Sequence, residues 1–410
     1  MTSPGQHRSS ALFRLAITAG LFILLVTVRA AQAQTYTVIH NFTGGADGYN
    51  PTSTLVQDRA GNLYGTTENG GTYHEGVLFQ LKPTRSGGWI FYPIHEFAGG
   101  SDDGAGPFDY GGLTIGPDGN IYGSTVGGGM TGCNGDCSLG VVFRLQPPPT
   151  SCRAVLCPWP LSIVYEFGSL GPAYPESNVV FDAAGNLYGT TQFGYAYELS
   201  PSGGDWTQSA SYYLGGQMTA GLVPDNAGNA YGVTEFGGTH SAGVVFELTP
   251  GASGWTETVL YNFTAGNDGG YPIGGLMFNQ GNLYGSTSYG GSAGGGTIFE
   301  LSPSGSEWTL TTLCSFGTGL GFYGPQSPLT MDAAGNLYGT TNGDGAFGDG
   351  MVFKATRSGS NWTCTDLHDF GEPTGLFPIA GVTVGANGNL YGTATQSGSN
   401  HEGVVWQITP

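Results

Sequence analysis

One five-residue phrase, Gly-Asn-(Leu/Ile/Ala)-Tyr-Gly, occurs seven times in this 410-residue chain. The copies start 58, 66, 43, 53, 54 and 53 residues apart, at Gly61, Gly119, Gly185, Gly228, Gly281, Gly335 and Gly388. A recurrence at this period is typical of a solenoid or a β-propeller, in which each unit is one supersecondary element. Residues that all seven units share serve the fold of each unit, so we look for function where the units differ.

The sequence around each copy predicts four short strands, which we letter a to d. Strand a is a short apolar run that comes four residues after a Pro, as in Pro51–Leu55. A turn of the form Asp-x-x-Gly-Asn follows, as in Asp58–Asn62, because Asp favours the first position of a turn and Gly accepts the positive φ of a tight hairpin. Strand b is Asn-Leu-Tyr-Gly-Thr-Thr. Strand c is Gly-Val-Val-Phe-x-Leu, as in Gly140–Leu145, and strand d usually opens with Trp, as in Trp89–Phe97.

Burial on both faces of these strands predicts the fold class. Leu63 and Tyr64 are consecutive in strand b and therefore point to opposite faces, and both are apolar. A sheet that is buried on both faces needs a neighbour on each side, which radially stacked four-stranded sheets provide. No long apolar stripe with a helical period follows residue 34, which excludes helical repeats. We therefore predict an all-β fold, a seven-bladed β-propeller with four-stranded blades.

The two ends of the chain complement each other. The chain stops after a strand c at Gly403–Ile408 and lacks its strand d, whereas Thr35–Phe42 is a strand d without a blade. Pairing the two completes the last blade and leaves no open sheet edge. Residues 34–410 are thus predicted to be a single propeller domain.

The first 33 residues have the features of a secretory signal peptide. Arg8 and Arg14 precede the apolar run Leu15–Val28, and a small-x-small cleavage site ends at Ala33. The apolar run is shorter than the ~20 residues that a membrane-spanning helix needs, and no second hydrophobic segment follows. We expect cleavage near Ala33 and a secreted or periplasmic protein that is monomeric.

Acidic residues dominate the charge of the chain. The formal net charge is −19, from 29 Asp and Glu against 10 Lys and Arg. With no basic stripe, the protein is a poor partner for nucleic acid or for an anionic membrane surface. Such a composition suits a cationic or neutral partner, or calcium, and it also favours solubility outside the cell.

The strand order places the b–c and d–a loops on one face of the propeller and the a–b and c–d turns on the other. Carboxylates, aromatic rings and His concentrate in the first set, and loops on a rigid scaffold are the usual place for binding. Aromatic rings stack on the C–H faces of sugars, and Asp, Asn and Glu accept hydrogen bonds from hydroxyl groups. We predict that this face binds a glycan or a cell-surface polymer through Asp47, Tyr49, Asp102, Asp103, Tyr110, Phe236, His240, Asp268, Tyr271 and Tyr289. For any single residue the alternative is structural, since Asp-Gly pairs also form turns and Tyr also packs between blades.

Three other functions remain open. Calcium would bind at the Asp-rich loops, although none has the spacing of an EF-hand, and no other cofactor is expected. A hydrolase or lyase acting on polysaccharide would use a general acid and base that precede strand c in the first and last blades, with His74, Glu75, His401 and Glu402 as the candidates. No His-Glu-x-x-His motif and no Gly-x-Ser-x-Gly elbow accompanies them. The third alternative is a purely structural surface protein.

The loops of the second and third blades differ most from the other copies. In the third blade the b–c loop is cut to Gln192–Tyr195, and the following d–a loop, Gly215–Ala220, lacks its Asp-Gly pair. The second blade is longer and carries cysteines in two of its loops. We expect a groove on this face between the shortened loops around the third blade and the longer loops of the second blade.

The second blade has two cysteines in its b–c loop and two in its c–d loop, at opposite ends of strand c. That strand spans roughly 20 Å, which is too far for a bridge between the two loops. We therefore predict two local disulfides, Cys133–Cys137 and Cys152–Cys157. Cys314 and Cys364 lie at different heights in the d strands of successive blades, and we predict that both are free.

The complete unit resembles a known family. Asp-x-x-Gly-Asn-Leu-Tyr-Gly-Thr-Thr, then Gly-Gly, Gly-Val-Val-Phe-Glu-Leu, Leu-Tyr-Asn-Phe and Asp-Gly-x-x-Pro, is similar to the GloVer tandem repeat of exported bacterial proteins whose C-terminal anchors vary. The similarity covers residues 35–410 and implies export and a repeat β fold, but no defined activity or catalytic residue. The sequence ends at its last blade without an anchor segment, which favours a released or periplasmic protein.

Overall fold

The computed structural model describes residues 34–107, 112–129, 138–149, 157–168, 171–215, 220–317 and 324–410. These residues form seven four-stranded antiparallel sheets and one two-stranded sheet. The large sheets are arranged as blades in a ring, which confirms the predicted all-β, seven-bladed propeller. Within these ranges, no helix has the length and apolar character needed to cross a membrane.

Each blade runs from an innermost strand a to an outermost strand d. In blade order, strand a is Val56–Gln57, Thr114–Ile115, Val180–Phe181, Val223–Pro224, Leu276–Asn279, Thr330–Met331 and Thr383–Val384. Strand b is Leu63–Thr67, Ile121–Thr125, Leu187–Thr190, Ala230–Thr234, Asn282–Thr287, Leu337–Thr341 and Leu390–Ala394. Strand c is Val77–Pro83, Val141–Leu145, Tyr195–Ser202, Val244–Gly251, Gly294–Ser304, Met351–Ser358 and Val404–Thr409. Strand d is Trp89–Glu96, Leu161–Glu166, Asp205–Tyr213, Gly254–Asn262, Glu307–Gly317, Asn361–Asp369 and, for the last blade, Thr35–Asn41. The two-stranded sheet, which the sequence did not predict, pairs Gly104–Ala105 with Gly127–Gly128.

The N-terminal strand closes the ring as predicted. Thr35–Asn41 pairs antiparallel with strand c of the last blade, from Thr35 opposite Thr409 to Asn41 opposite Val404. At the ring's inner side, the backbone N–H of Gly381 in the seventh blade donates to the hydroxyl of Thr54 in the first blade, at 2.8 Å. The first and last blades are therefore joined both at the inner and at the outer strand.

The core lies between blades, as the pattern Leu-Tyr in strand b predicts. Leu63 is fully buried and packs with Tyr391 and Val405 of the last blade. Its neighbour Tyr64 packs on the opposite side, with Leu113 of the second blade. Consecutive residues of one strand thus fill two different inter-blade cores, so a single blade could not bury its apolar residues alone.

In five of the seven a–b turns an Asp holds the Asn and the Tyr of the repeated phrase. In the first blade one carboxylate oxygen of Asp58 accepts the N–H groups of Ala60 and Asn62, at 2.8 and 2.9 Å. The other accepts the Asn62 side-chain amide at 2.7 Å and the Tyr64 hydroxyl at 2.9 Å. The same bonds recur at Asp182, Asp225 and Asp332. The phrase therefore builds the hairpin, whereas the last blade has Gly385 at the Asp58 position and Asn387 two residues later.

The last Gly of the phrase makes room for the aromatic residue of strand c. Gly65 lies opposite Phe79 in the sheet, and a Cβ at Gly65 would come within 2.6 Å of the Phe79 ring. The aromatic residue varies along the chain, since Gly392 faces Trp406 in the last blade. The need for Gly does not vary, because a Cβ at Gly392 would lie 2.2 Å from the Trp406 ring.

A Gly at the start of strand c contacts the Pro of the next blade. Gly243 has φ +94°, and a Cβ there would lie 2.5 Å from Cδ of Pro272. The same contact joins the last blade to the first, through Gly403 and Pro51 at 2.5 Å. Adjacent blades therefore approach so closely at this edge that only Gly fits.

One cysteine prediction was wrong. Cys314 and Cys364 form a disulfide, with Cα atoms 6.2 Å apart, between the outer strands of the fifth and sixth blades. Strands in neighbouring twisted sheets cross at an angle, so residues at different heights along two d strands can meet. The prediction of two free thiols rested on the different heights of the two residues along their strands.

The other disulfide predictions concern the second blade. Cys157 is disulfide-bonded, whereas Cys133, Cys137 and Cys152 lie outside the described residues. The pairs Cys133–Cys137 and Cys152–Cys157 therefore stay predictions.

Candidate functional site

The b–c and d–a loops lie together on one face of the ring, which we call the loop face. Tyr49 of a d–a loop exchanges two backbone hydrogen bonds with Asn69 of the b–c loop in the same blade, at 2.9 and 3.3 Å. Gly270 and Tyr289 form the same bridge in the fifth blade. The a–b and c–d turns lie at the opposite ends of the strands, on what we call the turn face.

Exposed aromatic side chains collect on the loop face. Six of the described Tyr and Phe side chains are strongly exposed, from 38% for Tyr289 to 71% for Phe347, and the others are Tyr73, Phe193, Tyr213 and Phe236. Five of them lie in the b–c loops of five different blades, and Tyr213 is at the loop end of a strand d. Of these six, only Phe236 and Tyr289 were predicted as binding residues from the sequence.

Three of the predicted binding residues form one aromatic cluster. The ring of Tyr271 lies edge-on to Phe236, with centroids 5.6 Å apart, and edge-on to Tyr289 at 5.9 Å. Tyr271 has φ +57°, a left-handed conformation that costs a Tyr about 1–3 kcal/mol. Its N–H donates to Ala242 of the preceding blade at 2.8 Å, and its carbonyl accepts from Ser288 at 3.1 Å. A fixed backbone therefore presents this cluster at the surface.

The Asp residues of three d–a loops are engaged in hydrogen bonds inside their own loops. Asp47 accepts the N–H of Thr43 at 3.1 Å and lies 3.2 Å from the ring of His40. Asp103 accepts the Ala98 N–H at 2.9 Å and contacts His95, and Asp268 accepts from Thr264 and Tyr261. Burial lowers the pKa of His40 although the Asp47 charge opposes this. These carboxylates close the loops, which is the structural alternative that the sequence left open.

The remaining predicted binding residues are not drawn into the aromatic cluster. Asp102 and His240 are exposed, and Tyr49 is half-buried and paired through its backbone with Asn69. Tyr110 lies outside the described residues. Part of the predicted groove also lies outside the described residues, because residues 130–137 and 216–219 are not described.

The candidate acid–base residues occupy turn positions before strand c. His74 and His401 both have positive φ, 65° and 64°, and both side chains are exposed. His401 lies 3.6 Å from Glu372. The backbone carbonyls of Glu75 and Glu402 accept N–H groups of the next blade, from Gly106 and Asn50 respectively. Among the described contacts, none joins His74 to His401.

A carboxylate pair on the sixth blade was not found from the sequence. Burial, followed by the charge of Asp369, raises the pKa of Asp366 to about 6. Between the two, burial lowers the pKa of His368 to about 4. Asp369 also accepts the N–H of Ala346 at 2.7 Å and so holds the b–c loop. Within the described ranges, no group of three or more His, Cys, Asp or Glu side chains is placed to hold a metal ion.

Two open cavities lie on the turn face. One, of about 490 Å³, lies between the first and last blades and is lined by Arg59, Trp89 and Tyr391 among others. The second, of about 740 Å³, lies between the a–b turns of the first and second blades. The two share the hairpin residues 57–60. The groove predicted from the sequence lies on the loop face, so these two cavities were not predicted.

Seven antiparallel blades closed by an N-terminal strand define a β-propeller of the repeat class. The chain belongs to the Gloeobacter/Verrucomicrobia repeat family, whose profile matches residues 5–198 and 192–406. This confirms the resemblance to the GloVer repeat. No curated protein matches the chain.

Solved structures share the fold at low sequence identity. PorZ, described as an essential bacterial surface component of the type-IX secretion system of Porphyromonas gingivalis, is 13% identical, with a TM-score of 0.52 over 88% of this chain and 47% of PorZ. A candidate 6-phosphogluconolactonase from Bacteroides uniformis is 16% identical, with a TM-score of 0.48 over 78% of this chain and 84% of that one. At these identities the likeness concerns the fold alone.

Proposed function

We propose that this protein is an exported, non-enzymatic binding propeller whose loop face takes a neutral glycan or a neutral cell-surface polymer. The observation that carries the proposal is the set of exposed aromatic side chains in the b–c loops of five blades. The rings of Phe236, Tyr271 and Tyr289 form a cluster at the surface. Exposed apolar clusters mark interaction sites, and aromatic rings offer flat apolar surfaces to sugars.

The charge of the loop face supports a neutral ligand over an anionic one. By sequence, none of the b–c and d–a loops contains Lys or Arg, whereas all contribute polar groups and most contribute carboxylates. A polyanion would meet a repulsive field there. Carboxylate oxygens that are not used within the loops, such as those of exposed Asp102, accept hydrogen bonds from sugar hydroxyls.

Export is the second part of the proposal. The disulfide between Cys314 and Cys364 supports it, because disulfides persist in oxidising compartments such as the periplasm and the exterior. The predicted signal peptide in residues 1–33 supports it as well. We propose no cofactor for the binding reaction.

The test is retardation of the purified protein in affinity gels that contain neutral soluble polysaccharides, namely β-glucan, xylan, mannan and galactan. The variant Phe236→Ala/Tyr289→Ala should weaken binding to the retarding polysaccharide about tenfold, or about 1.4 kcal/mol. The matched control is Ile90→Ala/Val259→Ala, which removes two side chains that are equally exposed, at 45% each, but lie on outer strands. The control should bind like the wild type.

Two outcomes would overturn the proposal. If no neutral polysaccharide retards the protein, or if both double variants lose affinity alike, the loop-face site is wrong. Release of reducing ends from any of the four polysaccharides would instead favour an enzyme that acts on polysaccharide.

A further inference from the structure

The cavity between the first and last blades has the size and the lining of a small-ligand site. Its volume is about 490 Å³, within the ~300–1,000 Å³ of typical ligand pockets. Half-buried Trp89 stands edge-on to Tyr391, with centroids 5.6 Å apart, and its indole N–H donates to Gln407 at 3.2 Å. These contacts fix the indole ring at the cavity wall. The cavity is on the turn face, away from the loop-face site.

The seam between these blades also differs from other blade junctions in its hydrogen bonds. In the first blade the Tyr64 hydroxyl donates to Asp58 at 2.9 Å. In the last blade Gly385 stands at the Asp58 position, and Asn387, two residues later, donates its side-chain amide to the Tyr391 oxygen at 3.2 Å. The Tyr391 oxygen is therefore an acceptor, and no described contact accepts its hydroxyl hydrogen. Tyr391 is only 1% exposed, so a ligand in the cavity that accepts this hydrogen would supply a hydrogen bond that the described residues do not make.

A cation completes the lining. Arg59 is exposed in the a–b turn of the first blade and lines the cavity, and none of the described ion pairs involves it. The adjacent Asp58 already accepts four hydrogen bonds from its own hairpin. The other described Lys and Arg also lie in turn-face turns or in the turn half of strand c, at Lys82, Arg85, Arg144, Lys354 and Arg357. The turn face is thus the side on which this acidic protein can receive an anion.

We propose that this cavity binds an acidic saccharide unit, a uronic acid residue. The guanidinium of Arg59 donates two parallel, charge-assisted hydrogen bonds to the carboxylate of the sugar. The Tyr391 hydroxyl donates its unmatched hydrogen to a ring hydroxyl of the sugar. Half-buried Trp89 offers its ring to the C–H face of the sugar. This site is separate from the proposed loop-face function and has the opposite charge preference.

The test is isothermal titration of the mature protein with trigalacturonate and with its methyl ester, which is the same sugar without the charge. The wild type should bind the acid form at least tenfold more tightly than the ester. Arg59→Gln should remove that preference, and Tyr391→Phe should weaken both forms. Arg357→Gln, which removes an exposed Arg from another blade, should change neither.

The proposal is overturned if the acid form does not bind, or if Arg357→Gln lowers its affinity as much as Arg59→Gln does. Because Arg59 is exposed, its substitution leaves the fold intact, and thermal unfolding of both variants checks this. The variant Phe236→Ala/Tyr289→Ala should still bind trigalacturonate. If it loses trigalacturonate binding together with neutral polysaccharide, the acidic sugar binds the loop face and the seam site is wrong.

Discussion

The invariant last Gly of the phrase allows a sharp test of how the blades pack. In the fourth blade a Cβ at Gly232 would lie 2.5 Å from Cζ of Phe246 and 3.0 Å from Cδ2 of Leu222. Both neighbours are buried, at 0% and 1% exposed, so neither can move into solvent. Gly232 does not have a positive φ, which means that Ala adds no backbone strain there. The whole cost of Gly232→Ala is therefore overpacking, about 1–3 kcal/mol.

The assay is urea unfolding followed by tryptophan fluorescence and circular dichroism. The control is Gly168→Ala, because Gly168 also lacks a positive φ but a Cβ there would meet nothing within 4 Å. That change should be neutral or slightly stabilising, since Ala restricts the unfolded chain. In a Phe246→Leu background, which lacks the clashing ring atom, Gly232→Ala should cost less by about 1 kcal/mol. Equal stability of Gly232→Ala and Gly168→Ala would refute the packing argument.

Three further predictions concern charge, cross-linking and closure. Because the pKa of Asp366 is raised to about 6 in the folded protein, the protonated carboxyl stabilises the fold below about pH 4, and this stabilisation is lost as the pH rises through 6. Asp366→Asn should therefore raise the melting temperature more at pH 8 than at pH 4. Replacing Cys314 and Cys364 by Ser, which opens a loop of 50 residues, should cost about 4 kcal/mol in the chain-entropy treatment. Reductant should then lower the melting temperature less than it does in the wild type, and the remaining effect should come from the disulfide of Cys157. Deleting residues 34–41 should expose strand Val404–Thr409 as an edge and cause aggregation, seen as light scattering; a deletion variant that stays monodisperse would contradict the closure.

The fold followed from the sequence because its main constraints are local and repeated. Leu63 and Tyr64 point to opposite faces in any strand, and both turn out to be buried between blades. The orphan strand Thr35–Phe42 had one matching gap, at the end of the last blade. Such arguments need only strand geometry and counting.

The site residues were harder to predict because residue type does not reveal how a side chain is used. Asp47 and Asp268 were chosen as ligand groups, yet their carboxylates close their own loops. Conversely, Tyr73, Phe193 and Phe347 were not chosen, although they are among the most exposed aromatic residues. Exposure depends on how a loop folds over its neighbours, and a single sequence does not show this.

The cysteine error has a similar cause. Cys314 and Cys364 were assigned correct strands but were assumed to stay at different heights. Their contact depends on the twist between two sheets, which is a property of the assembled ring and not of either strand.

The residue before the strand-a Pro shows how a repeated backbone conformation can carry different side chains in different blades. In five blades this residue has φ between 53° and 59°: Asn50, Gly106, Tyr174, Tyr271 and Phe377. Its N–H bonds to the preceding blade and its carbonyl accepts from its own blade, as at Tyr174, which contacts Leu139 and Gln192. Gly or Asn adopts this conformation at little cost, whereas Tyr and Phe are strained there. Since the backbone bonds are the same in each case, the scaffold alone does not account for the aromatic residues. Tyr271 packs against exposed Phe236, and Tyr174 packs against exposed Phe193. The strained Tyr residues thus support aromatic rings that are exposed on the loop face. This supports a binding role for these rings.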